Sequence, residues 1–274
     1  MIPTSYYHTT PISESTLCHY LSTIRAWHIA QGWLPPLSDI QQDHIDLSLR
    51  GIAHIQADHH RKPPGPPVTV TMLHLFKDSL DLNSPFDACI WAIASCAFWA
   101  MMRLGEGTVK SRAAFQPTTC LTRKDTVKDA NLDGHTFVRI NLPSAKTTCP
   151  GESQSVWLVP QGSLCPIKAL KNLGRIAPAQ ADNPLFPWCN NKHTIHPMTK
   201  PSFLDRVNRI LTSHGSERVY GHSFRIGGAS YYMAHKMDME VVKIAGRWQS
   251  ISYQLYIRRV EQVISRRFAD LPEV

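Results

Sequence analysis

With 274 residues, 43% of them hydrophobic, the chain can build one large domain or two of ordinary size around a real core. Lys and Arg number 29 against 21 Asp and Glu, and this formal charge of +8 suits a polyanionic partner; the excess is uneven, with two basic against five acidic residues in 1–60 and twelve against seven in 200–274. Residues 88–102 form the longest apolar stretch, short of the ~20 residues that span a bilayer, so it reads as a buried helix and not as a membrane span.

The first predicted element is a helix over 15–31, where Leu17, Tyr20, Leu21, Ile24, Trp27 and Ile29 recur near the helical period after a capping Ser13 or Ser15. Gly32 and Pro35-Pro36 stop it, and a second helix follows over 42–59. Residues 61–67, Arg-Lys-Pro-Pro-Gly-Pro-Pro, hold too much proline for a helix or a central strand and mark a linker. The expected domains are therefore a small helical one over 1–62 and a larger one over 63–274. In the larger one, helices are expected over 71–80 and 87–104. Residues 137–142 and 155–159 alternate like half-buried strands, joined by a turn over 143–152. Helices over 167–173, 200–214, 223–236, 240–246 and 252–268 complete the pattern. The fold class is mainly α with a small β-sheet (α+β), without internal repeats. Trp27, Trp91, Trp99 and Trp157 lie in periodic apolar segments and are expected in cores.

The segment Tyr220-Gly-His-Ser-Phe-Arg-Ile-Gly-Gly-Ala-Ser230 is the most informative for chemistry. A helix starting near His222 puts His222 and Arg225 one turn apart on one face, beside amides inclined to bind an anion. Histidine can pass a proton near neutral pH, and arginine can hold two phosphate oxygens at once. Alone, such a pair is more often a capped helix with a surface His and a solvated Arg. The segment Ala245-Gly-Arg-Trp-Gln-Ser-Ile-Ser-Tyr-Gln-Leu-Tyr-Ile-Arg-Arg259 downstream changes that balance.

Together the two segments resemble the C-terminal motif of the tyrosine recombinases: His-x-x-Arg, some twenty residues, Gly-(His or Trp), then a helix bearing a nucleophilic Tyr. The wording Gly-His-Ser-Phe-Arg-Ile-Gly-Gly with Gly-Arg-Trp is similar to that of Crypton-type recombinases of fungal mobile elements. Upstream, Ala97-Phe-Trp-Ala-Met-Met-Arg-Leu-Gly-Glu-Gly-Thr108 resembles the family's first box and supplies Arg103 and Glu106. Lys146, in the turn of the expected hairpin, occupies the place of the family's lysine, with Lys124 and Lys128 as alternatives. Residues 20–28 resemble the family's helical core-binding domain, so the resemblance covers most of the chain.

The resemblance implies a tyrosine recombinase catalytic fold preceded by a short SAM-like core-binding domain. It implies an enzyme of DNA recombination and integration, encoded by a mobile element and acting in the nucleus. Double-stranded DNA is cut and rejoined through a 3′-phosphotyrosyl intermediate with no metal or other cofactor, by a homotetramer on two DNA sites. In that scheme Arg103 and Arg225 clamp the phosphate, Tyr256 attacks it, and Lys146 protonates the leaving 5′ oxygen. His222 helps manage the tyrosine proton, Trp248 packs beside the phosphate, and Glu106 supports the arginines. Tyr253 is the alternative nucleophile, and a one-residue gap leaves Arg247 as the alternative for the place given to Trp248. The alternative readings are a catalytically silent DNA-binding relic that kept the fold but no longer cleaves, and a type IB topoisomerase-like enzyme that uses the same residues to relax DNA. The acidic, short N-terminal domain departs from the family, which uses a basic one.

Seven cysteines without a repeated spacing fit reduced thiols, and residues 1–10 lack the basic-then-apolar run of a secretory leader, so an intracellular protein is expected. Neither His54, His59 and His60 nor Cys189, His193 and His196 has a recognised four-ligand metal spacing.

Overall fold

The structure, a computed structural model, describes residues 12–60, 65–132, 134–143, 154–190, 192 and 194–248. Lys146, Tyr253, Tyr256 and the helix expected over 252–268 lie outside the described residues. The chain divides into two compact units, residues 1–64 and 65–274.

The first unit is a pair of helices, α1 (Glu14–Ala30) and α2 (Asp39–His60). Ser13 caps α1 by accepting the Thr16 amide at 3.4 Å, and the chain leaves the helix through Gly32, whose φ of +73° suits a residue without a Cβ. Two helices enclose a single seam, so few side chains find an interior here. Leu49 is buried, whereas Trp27, expected in a core, is 53% exposed and lies edge-on to His28 and Trp33.

The second unit contains α3 (Val70–Ser79), α4 (Pro85–Trp99), α5 (Leu104–Gly107), β1 (Thr126–Leu132), β2 (His135–Leu142), β3 (Gln154–Leu158), α6 (Pro166–Ile176), β4 (Pro187–Cys189), β5 (Ile195–Pro197), α7 (Lys200–Ser213), α8 (Ser223–Ala234) and α9 (Met239–Gly246). Its centre is α4. A helix apolar on all sides must be covered on all sides, and every residue from Asp87 to Trp99 is buried. The buried acid in its first turn is satisfied by Arg206 of α7, which reaches the Asp87 carboxylate at 2.9 and 2.7 Å. Helices α6 and α8 pack against α4.

The three-stranded sheet runs β1-β2-β3, antiparallel throughout. Register pairs Val138 with Leu158 and Ile140 with Val156, all four buried, and places Arg139 opposite Trp157 on the other face. Trp157 is therefore 47% exposed, against the expectation of a core position: the two-residue period that buries Val156 and Leu158 turns it outward. Strand β1 was not expected, because Thr-Val-Lys-Asp-Ala-Asn-Leu lacks clean alternation and its pairing is irregular between Val127 and Ala130. No described helix is long and apolar enough to cross a membrane.

Candidate active site

The end of α4 positions the first arginine. A single helix to residue 104 was expected; α4 instead ends at Trp99, because Met101 adopts a left-handed φ of 47° and the chain resumes as the one-turn α5. Such a conformation costs a non-glycine residue roughly 1–2 kcal/mol. It turns the Met101 carbonyl toward Arg225, whose Nη1 donates to it at 2.9 Å. Arg103 then sits at the N-cap of α5. Its amide donates to Glu106 Oε2 at 2.9 Å, and its Nη1 donates to Glu106 Oε1 at 3.1 Å.

Helix α8 carries the second arginine, and its placement depends on two glycines. A Cβ on Gly227 would stand 2.1 Å from the Val68 carbonyl oxygen, and one on Gly228 would stand 2.0 Å from that of Phe98. Neither carbonyl can yield as a side chain would, so the main chain of α8 meets the main chain of α4 at Phe98 and that of the segment before α3 at Val68. Arg225, in the first turn of α8, is only 2% exposed. Besides Met101 it donates through Nη2 to the Gly246 carbonyl, and its guanidinium lies 4.2 Å from the centre of the Trp248 ring. Such a cation–π contact contributes ~0.5–2 kcal/mol, more as water is excluded. His222, the residue before the helix, is exposed.

The C-terminal turn of α9 closes this arrangement. Gly246 is obligatory, since a Cβ there would fall 1.6 Å from the folded-back Trp248 ring. Arg247 follows in the left-handed conformation at φ 57° as the C-cap of α9, and its Nη2 donates to Glu106 Oε2 at 2.7 Å. Arg247 and Glu106 keep 7% and 9% of their side-chain exposure, so the pair is largely shielded from water. Glu106 thus joins Arg103 to Arg247.

One cavity of about 580 Å3 gathers Arg103, Glu106, His222, Arg225 and Trp248, from α5, α8 and the turn after α9. Pro143, the last described residue before 144–153, also lines it. Lys200 lines it too, and sequence reasoning passed over this residue. It is the first residue of α7, tied to the chain after α5 by its amide donating to the Val109 carbonyl at 2.9 Å. Its Nζ passes 3.0 Å from where a Cβ on Gly221 would be, next to His222. The available signal was its position: the helix dipole disfavours a cation at a helix N-terminus. Three cationic side chains, Arg103, Lys200 and Arg225, thus line the cavity with the one carboxylate of Glu106, which Arg103 and Arg247 both engage, an imbalance suited to an anionic group such as phosphate.

Tyr231 and Tyr232 of α8 also belong to this unit. The Tyr232 phenol is pushed up to about 12, chiefly by burial and further by Tyr231, and it donates to the Trp99 carbonyl at 2.7 Å. It is a structural donor held far from the phenolate form. Among the described residues, no group of three His, Cys, Asp or Glu side chains could hold a metal ion.

No protein-family model matches the sequence, and no curated protein matches it. Solved structures do. The crystal structure of XerA recombinase superposes with a TM-score of 0.52 at 13% identity, over 98% of this chain and 86% of that one. XerH site-specific recombinase, bound to its difH substrate in a pre-cleavage complex, gives 0.48 at 18% identity over 94% of this chain and 70% of that one. The mostly helical second unit with its small antiparallel sheets thus shares the fold of XerA recombinase.

Proposed function

We propose that this protein is a DNA recombinase that cuts and rejoins double-stranded DNA through a 3′-phosphotyrosyl intermediate. The observation that carries the reading is convergence: Arg103, the neighbouring His222 and Arg225, and Trp248, from three separate segments of the chain, line one cavity. In this reading the scissile phosphate enters that cavity. Arg103 and Arg225 hold its nonbridging oxygens, where negative charge accumulates in the transition state. Arg225 is preorganised by two carbonyls and an indole ring, so little ordering remains to be done when phosphate arrives.

Tyr256 is the nucleophile. Its phenolic oxygen bonds to phosphorus as the bond from phosphorus to the 5′ oxygen breaks; the phenolic proton passes toward His222, and Lys146 protonates the leaving oxygen. The phosphotyrosyl ester keeps the 3′ end of the cut DNA strand activated, so attack by a 5′ hydroxyl, releasing the tyrosine, reverses the chemistry without ATP. Trp248 shields the arginine from water.

The finer assignments belong to the same proposal. Residues 1–62 act as a SAM-like core-binding domain and residues 63–274 as the catalytic domain. Four copies assemble on two DNA sites, and the gene belongs to a Crypton-like mobile element acting in the nucleus.

The test is to incubate the full chain with nicked duplex DNA of mixed sequence, denature, and look for DNA covalently attached to protein. An adduct lost in Tyr256→Phe and retained in Tyr253→Phe is expected. Loss only in Tyr253→Phe reassigns the nucleophile. DNA binding without any adduct replaces the reading with that of a silent binding protein.

A further inference from the structure

We infer that Arg247 is a positioning residue for the candidate active site: through Glu106 it fixes the guanidinium of Arg103 in the geometry that receives phosphate. This inference rests on the proposed function. It starts from an oddity of the turn after α9. Arg247 is 93% withdrawn from solvent on its side chain, yet its Nε and Nη1 find no hydrogen-bond partner among the described residues. Leaving a buried donor unsatisfied costs ~1–3 kcal/mol, more when the group is charged. Stability alone would be better served there by an apolar side chain.

The bond that Arg247 does make is the one with consequence. Glu106 uses Oε1 for the Arg103 side chain, and Oε2 for both the Arg103 amide and Arg247 Nη2. One carboxylate cannot swing to follow Arg103 while Oε2 is held from the opposite side, by a residue on another element. Without Arg247, the Glu106 side chain is fastened only to α5, a single turn with little rigidity of its own. Arg103 would keep its ion pair but lose its fixed direction.

The same turn also holds the other arginine, since Gly246 and Trp248 are partners of Arg225. Residues 246–248 are therefore a clasp on both halves of the phosphate clamp: Gly246 and Trp248 directly on Arg225, Arg247 by way of Glu106 on Arg103. Displacing reacting groups by about 1 Å can cost ~100-fold in rate while leaving ground-state contacts largely in place.

The experiment compares wild type, Arg247→Ala, Arg247→Lys, Arg103→Ala and the Arg103→Ala/Arg247→Ala double variant. The full chain is used with nicked duplex DNA, and binding affinity is measured separately from the single-turnover rate of adduct formation. Expected are a 10- to 100-fold slower rate for Arg247→Ala, affinity within about threefold of wild type, and partial recovery in Arg247→Lys or on adding guanidinium ion. The double variant should be no slower than Arg103→Ala alone. Additive losses in the double variant, or affinity falling in step with rate, overturn the inference.

A second readout does not depend on cleavage and separates this inference from the functional reading. In 15N-labelled protein, the Arg103 Nη–H resonance, assigned by its loss in Arg103→Lys, should be protected from solvent exchange in wild type by its bond to Glu106 and lose that protection in Arg247→Ala. An unchanged resonance refutes the positioning role even if every adduct forms as proposed. Absence of adduct with loss of protection leaves the positioning intact and removes the enzyme.

Discussion

Lys200 stands where its own helix opposes it, at the first position of α7, with its ammonium beside the backbone of Gly221 and at the edge of the cavity. A bound phosphate would relieve that opposition. Replacing Lys200 with Ala should weaken DNA binding equally on all sequences and reduce the slope of log affinity against log salt by about one unit, the contribution of one phosphate contact. Fluorescence anisotropy over a salt series reads this directly; an unchanged slope would place Lys200 off the DNA. At this scale the sequence was readable where partners are close in the chain. His222 and Arg225 are one turn apart, so their spacing could be read locally, although only the downstream Gly-Arg-Trp segment tipped it toward chemistry. Arg103 and Trp248 became candidates through the resemblance alone. Arg247 and Lys200 act through neighbours a hundred or more residues away, or across a fold contact, and no local pattern encodes that.

Among the elements, α8 is placed by main-chain contact. Gly228→Ala puts a methyl group 2.0 Å from the Phe98 carbonyl, which must shift α8 or α4. Overpacking of this kind typically costs ~1–3 kcal/mol. Thermal melts should show the loss, whereas Gly51→Ala in α2, with open space around its Cβ position, should not lower the melting temperature. The helices of both units follow their apolar periodicity closely: α7 was expected over 200–214 and runs Lys200–Ser213, and α9 was expected over 240–246 and runs Met239–Gly246. The failures have physical causes. The left-handed Met101 splits the long apolar segment into α4 and α5, and methionine gives no warning of that conformation. Strands β4 and β5, with three residues each, are too short to show a period.

On the scale of the whole molecule, charge and fold divide along the chain in the same way. The basic excess lies in residues 200–274, and the acidic excess in 1–60. DNA attraction should therefore reside mainly in the second unit and be strongly screened. For about four neutralised phosphates, raising salt from 50 to 200 mM should weaken binding roughly 100-fold. An affinity flat across that range contradicts a phosphate-directed site.

The meeting of Gly227 and Gly228 with the carbonyls of Val68 and Phe98 has an evolutionary corollary. A joint made of backbone is indifferent to which methyl and methylene groups fill the space around it. Core residues on the remaining faces of α4 and α8 can be exchanged over generations, provided volume is kept, without moving the peptide that carries Arg225. Divergence then erases the sequence signature of ancestry first and the geometry of the chemistry last.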